Sequence, residues 1–432
     1  MSDGLSSSPL PWHLLPENSS EGNEGQLVIG GCDTLDLLRE FGTPLFIYDE
    51  VHLRARCREA VSAFGRQATY ASKAFLCTAM AQLAHQEGMG IDVATGGELH
   101  VALAAGVPAE HLVFHGNNKS SHELAMALEV GVGRVIVDSD AELDRIEALV
   151  AAGATVPSIL LRVTPGVEAH THEFISTGQD DSKFGFTVST GAAARAVERA
   201  LCSDAVDLVG VHAHIGSQVF RVESFAEALG VLGAFSTPYG LPELVIGGGL
   251  GVAYVEGEEA PTISQWARIL KASAASVGIT ASLGIEPGRS IVAAAAVTIY
   301  TVGTIKVLPD IRTYVSVDGG MSDNPRPVLY GSGYEAFLPR SVSAARTMHA
   351  RIVGKHCESG DILVRDARLP ADLVVGDLLA TPVTGAYGHS MGSNYNKVLR
   401  PPVVFCSNGD ARLVVRRETY DDLLLTDLGF GS

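Results

Sequence analysis

The chain has 432 residues, 46% of them hydrophobic and 19% charged. That length supports two domains, or one barrel with an appendage, and that composition excludes a disordered chain. The formal charge of 31 − 49 = −18 argues against non-specific binding to nucleic acid or to an anionic membrane surface.

No apolar stretch reaches the roughly 20 residues that span a bilayer. Residues 1–25 are rich in Ser, Pro, Glu and Asn. They lack a basic start followed by an apolar run, so no secretory signal is expected. They read as a flexible N-terminal arm. The six cysteines, at 32, 57, 77, 202, 357 and 406, show neither CxxC nor zinc-ligand spacing,. They read as thiols in a reducing compartment, and the expected location is cytoplasmic.

QLVIGGCDTLDLLREFG (26–42) reads as a strand and a helix ahead of the main body. From 43 to 290, short apolar runs alternate with Ala/Leu/Glu-rich helical stretches. The runs are ATYASKA (68–74), GIDVAT (90–95), LVFHG (112–116), RVIVDS (134–139), SILLRVTP (158–165), LVGVHAHIG (208–216), ELVIGGG (243–249) and SLGIEPG (282–288). They are continuous rather than alternating, as in strands buried on both faces. Eight β-α units over about 220 residues fit a (β/α)8 TIM barrel better than a doubly wound open sheet. After 290, runs such as AAVTIYTVGTIKVL, TYVSVDGG, DILVRDARL and PPVVFC, punctuated by Gly, Pro and Asp, give an all-β pattern,. The expected architecture is therefore α/β: a barrel over 43–290 plus a mainly β second domain built from 26–42 with 291–432.

Barrel chemistry lies at the C-terminal ends of the strands, and there the unusual polar residues of this sequence fall: Lys73, Asp92, His115, Arg162, His212 and His214, Ser217, Gly247-Gly248-Gly249, and Glu286-Pro287-Gly288-Arg289. Taken singly, each has an ordinary reading. Lys73 could be a salt-bridged lysine, Glu286 the ion-pair partner of Arg289, His214 a satisfied core histidine, and the triglycine only a turn. Taken together they offer a lysine able to form a Schiff base, a close backbone approach for an anion after the seventh and eighth strands, an arginine suited to phosphate, a carboxylate for a ring nitrogen and a flat ring to stack. One cofactor, pyridoxal phosphate, uses all five.

Tyr70-Ala71-Ser72-Lys73-Ala74, HAHIGS (212–217), the triglycine and Glu286-Pro287-Gly288-Arg289 resemble the alanine-racemase-like barrel class of pyridoxal-phosphate enzymes. GIDVATGGEL (90–99), HGNNKS (115–120), PGVEAHTHEFISTGQDDSKFGF (165–186), VSVDGGMSDNPRPVLY (315–330), CESGD (357–361) and GAY (385–387) extend the likeness from about residue 26 onward. Within that class they resemble the diaminopimelate decarboxylase family.

The resemblance implies PLP-dependent decarboxylation of meso-2,6-diaminopimelate to L-lysine and CO2, the last step of lysine biosynthesis. It implies that Lys73 carries the cofactor, His214 stacks on it, Glu286 faces its ring nitrogen, and Ser217, Gly247–Gly249 and the Glu286-Pro287-Gly288-Arg289 backbone hold its phosphate. Arg289, Arg326 and Tyr330 would bind the far carboxylate of the substrate and Glu358 its far ammonium. Tyr387 would touch cofactor and substrate, and Cys357 would donate the proton, a thiol's pKa lying near the operating pH. It also implies a homodimer, with Cys357 and Glu358 serving the other subunit's site, and no metal.

Substrate choice has a physical basis. Ornithine or lysine needs only an acid at the far end of a pocket, whereas diaminopimelate carries a second amino-acid group and needs cations there too. The competing readings are a decarboxylase for another basic amino acid, an amino-acid racemase, and a pyridoxal-phosphate-binding protein without turnover.

Overall fold

The computed structural model describes residues 8–167 and 181–430. They fall into two compact units. One comprises the described residues up to Leu53, Ala253–Glu259 and those from Val292 on; the other comprises the described residues of Arg54–Val252 and Ala260–Ile291.

The second unit is the barrel. Its strands are β1 (Thr69–Ala71), β2 (Gly90–Val93), β3 (Leu112–Phe114), β4 (Arg134–Val137), β5 (Ser158–Thr164), β6 (Asp207–His212), β7 (Glu243–Val245) and β8 (Ser282–Gly284). Seven lie inside the expected apolar runs, and β6 begins one residue ahead of its run, at Asp207. They are hydrogen-bonded in parallel in the order β8-β7-β6-β5-β4-β3-β2-β1. A parallel bridge between Ala68 and Ile285 joins the two ends. The Thr69 N–H donates to Ile285 O (2.9 Å) and the Ala71 N–H to Pro287 O (3.1 Å) across the same seam. A further short strand, Phe186–Thr187, lies parallel to the end of β5. Ile136, Leu160 and Val245, from three different strands, meet in the core. A parallel sheet covered on both faces requires such continuous apolar strands.

Local signals set the helices. Ser120 and Glu123 form a reciprocal capping box at the start of Ser121–Val130, which ends at Gly131 in the left-handed region. Thr95 and Ser139 cap the helices Gly96–Ala104 and Asp140–Ala151. Each satisfies N–H groups that a helix start leaves unpaired.

The first unit is built on an eight-stranded sheet. Ala296–Leu308 runs through its centre and pairs antiparallel with Leu45–Asp49, Leu378–Pro382 and Arg312–Val317. Val403–Ser407 adds parallel to Leu45–Asp49. The expected barrel with a mainly β second domain is thus the observed architecture.

Three boundaries need correction. Residues 8–25 are not a flexible arm: Leu10, Leu14 and Leu15 are buried, and Ser19–Glu21 pairs antiparallel with Leu27–Ile29. Residues 1–7 lie outside the described residues. The edge expected at 43 falls after Leu53, because the fully buried strand Leu45–Asp49 pairs on both sides within the β-rich unit. Ala253–Glu259, inside the expected barrel range, also belongs to the β-rich unit. There Tyr254 is buried against Tyr334, and Glu256 pairs with Arg346 (3.0 Å) and Arg368 (2.7 Å). Among the described residues no helix is long and apolar enough to cross a membrane, and all six cysteines are free thiols.

Candidate active site

The ends of four barrel strands build one buried electrostatic cluster. Glu286, two residues past β8, is 6% exposed. Its Oε1 lies 3.0 Å from His115 Nε2, just past β3, and its Oε2 lies 2.9 Å from His212 Nε2, the last residue of β6. Asp92 of β2 stands 3.8 Å from the same His115 nitrogen. Burial opposes a charge on Glu286, but the two imidazoles outweigh it and hold the carboxyl well below its ordinary range,. Burial and the Glu286 charge push Asp92 up, although His115 opposes them. His115 is raised, its carboxylate neighbours overcoming burial, whereas burial keeps His212 low.

Lys73 follows β1 in a single 3-10 turn, Ser72–Ala74, and is exposed. Its charge reaches Asp92, Glu98 and His214, which places its ammonium among the polar strand ends. His214 is half-buried. Burial and the nearby Lys73 and Arg162 hold it well below the usual imidazole range, so the ring is neutral. The Gly248 N–H donates to its Nδ1 (3.3 Å), which fixes the ring's orientation and tautomer,.

The glycine turn is required by close packing. Gly247 has φ +72° and Gly249 φ +107°. A Cβ on Gly247 would lie 2.6 Å from Ala213 O, and one on Gly248 or Gly249 would overlap the carbonyl oxygen of Glu286 or Gly216,. Gly288 is packed the same way against Ala71 O. Pro287 accepts the Ala71 N–H, closing the barrel beside Lys73. Arg289 is buried and its Nη2 donates to Ser217 Oγ (2.8 Å). An exposed lysine, a neutral flat ring, an ionised buried carboxylate, a backbone cradle without side chains and an arginine–serine pair fit pyridoxal phosphate.

Five other candidates lie in the β-rich unit. Arg326 is 4% exposed. Its Nη1 donates to Tyr334 Oη (2.7 Å), and its guanidinium lies 4.4 Å from the Tyr254 ring centroid and 5.7 Å from that of Tyr334. Burial would lower its pKa, but the phenols of Tyr254, Tyr334 and Tyr387 raise it. Among the described residues no carboxylate pairs with it. Tyr330 is half-buried at the end of the helix Arg326–Tyr330. Tyr387 has φ +66°, a left-handed conformation that a tyrosine holds only against strain,.

Cys357 and Glu358 are exposed, so the Cys357 thiol is not sequestered in the core. Asp361 shapes their turn: its carboxylate accepts His356 N (2.9 Å), His356 Nδ1 (2.7 Å) and Met321 N (2.7 Å). The Cys357 N–H is held by Asn396 Oδ1 (2.9 Å).

Sequence reading noted His115, His212 and Asp92 as strand-end polar residues but assigned them no role. It did not find Tyr254 or Tyr334. Nor did it separate Lys119, whose ammonium is fully buried against Glu142 (2.6 Å), from the motif around it. Strand-end position was the signal for the first three; nothing in the sequence marked the two tyrosines. Residues 168–180 of the long 165–186 motif lie outside the described residues.

The family described as "Pyridoxal-dependent decarboxylase, pyridoxal binding domain" matches residues 50–293. The diaminopimelate decarboxylase of Mycobacterium tuberculosis (strain ATCC 25618 / H37Rv) is 46% identical over 98% of this chain and 99% of its own. That of Bacillus subtilis (strain 168) is 46% identical over 96% of this chain and 98% of its own. The solved structure of diaminopimelate decarboxylase from M. jannaschii in co-complex with L-lysine superposes with a TM-score of 0.88 at 33% identity, covering 95% of this chain and 98% of that one. Full-length identity at this level, on the same fold and with a fitting cofactor site, means that the chain belongs to the diaminopimelate decarboxylase family of pyridoxal-dependent enzymes.

Proposed function

We propose that this chain decarboxylates meso-2,6-diaminopimelate to L-lysine and CO2, at the last step of lysine biosynthesis, in the cytoplasm. The observation that carries the substrate choice is Arg326: a buried guanidinium surrounded by phenols, with no acidic partner among the described residues. A buried cation of that kind is matched to an incoming carboxylate, and the far end of diaminopimelate offers one where ornithine and lysine do not.

When bound, pyridoxal phosphate supplies the electron sink for the pair left behind as the carboxylate departs. Lys73 Nζ holds the cofactor. His214 covers one face of its ring, and its neutral state avoids placing a cation against that face. Glu286 holds the proton on the ring nitrogen. Ser217, Gly247, Gly248, Gly249, Pro287, Gly288 and Arg289 receive the phosphate. Arg326, Arg289 and Tyr330 orient the distal carboxylate, Glu358 the distal ammonium, and Tyr387 both cofactor and substrate. Cys357 Sγ delivers the proton that replaces CO2 at Cα. The exposure of Cys357 and Glu358 on the single chain supports a homodimer in which they serve the neighbouring site.

The test is release of CO2 and lysine by the purified protein with pyridoxal phosphate, offered meso-diaminopimelate, ornithine, lysine or arginine separately. Lysine from diaminopimelate alone is the expected result. Turnover of one of the other amino acids at a comparable kcat/KM would overturn the Arg326 reading. Cofactor binding without CO2 from any of them would overturn the decarboxylase reading.

A further inference from the structure

Glu286 is not a bare carboxylate at the floor of the barrel mouth. Each of its oxygens already meets an imidazole nitrogen, at 3.0 Å and 2.9 Å. We infer that His115 and His212 are positioning residues that act on the cofactor through Glu286: they occupy both of its oxygens with N–H donors and so keep the shared proton on the ring nitrogen. This rests on the reading that Glu286 faces that nitrogen.

A hydrogen bond between a pyridine nitrogen and a carboxyl group can place its proton on either side. Donors to the carboxylate lower its basicity. They therefore favour the ion pair, with the proton on the ring, over a neutral ring beside a neutral acid. A protonated ring draws electrons more strongly, so the two histidines would act in the same sense as Glu286 itself.

The two donors are not alike. His212 Nδ1 is buried and has no hydrogen-bond partner among the described residues. A charged His212 would strand an N–H there at a desolvation cost. The geometry therefore makes His212 a neutral donor with its single proton on Nε2. His115 Nε2 faces two carboxylates, Glu286 at 3.0 Å and Asp92 at 3.8 Å, which suits an imidazolium. The two rings meet edge to face, with centroids 5.0 Å apart. The other charged or titratable groups whose fields reach the cluster are Lys73 after β1, Asp92 of β2, Glu98 in the first turn of the helix Gly96–Ala104, Arg162 of β5 and His214 after β6. The clamp thus combines one charged and one neutral donor, and their replacements should differ.

The experiment uses holoenzyme carrying pyridoxal phosphate labelled with 15N at the ring nitrogen. Its chemical shift is read between about pH 6 and 9, beside kcat and KM. The wild type should show a protonated ring throughout. His115→Gln keeps a donor and loses the charge; it should move the shift toward neutral pyridine and lower kcat about 10- to 100-fold with KM little changed. His212→Gln keeps a neutral donor and should stay within about threefold of wild type, whereas His212→Leu, which donates nothing, should resemble His115→Gln.

A neutral ring in the wild type would overturn the inference without any variant having to fold. So would an unaltered shift in both His115→Gln and His212→Leu, or a stoichiometric divalent metal retained by the three clustered ligand atoms. These results are separable from failure of the proposed function, in which the wild type itself releases no CO2 from diaminopimelate.

Discussion

Glu286 and Arg326 are both buried charges, and they are treated in opposite ways. Glu286, in the barrel unit, meets two imidazoles from two other strands. Arg326, in the β-rich unit, meets phenols: a hydrogen bond to Tyr334 and the face of Tyr254, with no carboxylate partner among the described residues. Burying an ion is costly unless it is paired. The first cost is met by the protein itself. The second is met only in part, by cation–π contact and one hydrogen bond to a neutral acceptor, the Tyr334 hydroxyl,. A charge whose partners are supplied internally belongs to standing machinery that must be in one state at all times. A charge left short of a counter-ion is a receptor.

The sharpest break in that comparison is Glu286→Gln. The amide would take away the nearer of the two carboxylates that His115 faces and leave the ring nitrogen without an ionised partner. We expect kcat with diaminopimelate to fall by roughly 10^3-fold, about 4 kcal/mol, with a smaller change in KM, in a steady-state assay of CO2 release. A loss under tenfold would mean that Glu286 does not govern the ring nitrogen.

This cluster also marks where sequence reading ends. The eight barrel strands were legible because continuous apolar runs with helical stretches between them admit few other folds. The strand-end rule found Lys73, His214 and Glu286, and it noticed His115 and His212. It could not pair them. His115 and Glu286 are 171 residues apart and His212 and Glu286 74 apart; which ends meet depends on how the sheet closes between Ala68 and Ile285. LFIYD (45–49) lies inside the expected barrel range 43–290 for a related reason. It is as apolar as any barrel strand, and only its partners, Ala296–Leu308 and Val403–Ser407, assign it to the other unit. Tyr254 sits in a seven-residue excursion of the chain between β7 and β8, and the glutamates of AYVEGEE (253–259) do not name the unit it joins.

Lys119 tests the internal-partner side of the comparison through stability instead of catalysis. Its Nζ donates to Glu142 Oε1 (2.6 Å), Gly116 O (2.7 Å) and Ile136 O (2.6 Å), and neither charged side chain is exposed. Lys119→Met would leave Glu142 as an uncompensated buried charge and should cost about 3–5 kcal/mol in denaturant unfolding. The double replacement of Lys119 and Glu142 by apolar residues should recover much of that loss. If the single and double variants are equally unstable, the ammonium's bonds to the Gly116 and Ile136 carbonyls dominate and its pairing with Glu142 is secondary.

Arg326 should behave the other way. With no carboxylate to abandon, Arg326→Met should leave the stability of the ligand-free protein unchanged or slightly raised, since an apolar side chain removes a desolvation cost. Binding should suffer instead. Loss of a charge-assisted carboxylate contact should raise KM for diaminopimelate by about 100-fold, near 3 kcal/mol. The preference over lysine should shrink with it. Marked destabilisation of the free protein, with an unchanged KM, would make Arg326 a structural residue and remove the basis for calling it a receptor.

His389 represents a third treatment of an ionisable group, half-buried this time, in which the charge is not formed at all. Its ring packs edge-on to Phe46, with centroids 6.0 Å apart. Burial first, and then the Arg400 guanidinium, lower it from the ordinary 6.5 to about 4. Between those values the unfolded chain binds the proton and the folded chain does not. The folded state is therefore at full advantage above pH 6.5 and loses it as the pH falls toward 4. At pH 5 the loss from this one residue is about 2 kcal/mol. His389→Phe removes the titrating group while keeping an aromatic ring, so the fall in unfolding free energy from pH 7 to pH 5 should be shallower in the variant by that amount. Parallel pH profiles for wild type and variant would show that His389 is solvated enough to charge in place, and that the β-rich unit meets the proton there as it meets the carboxylate at Arg326, by leaving the group reachable.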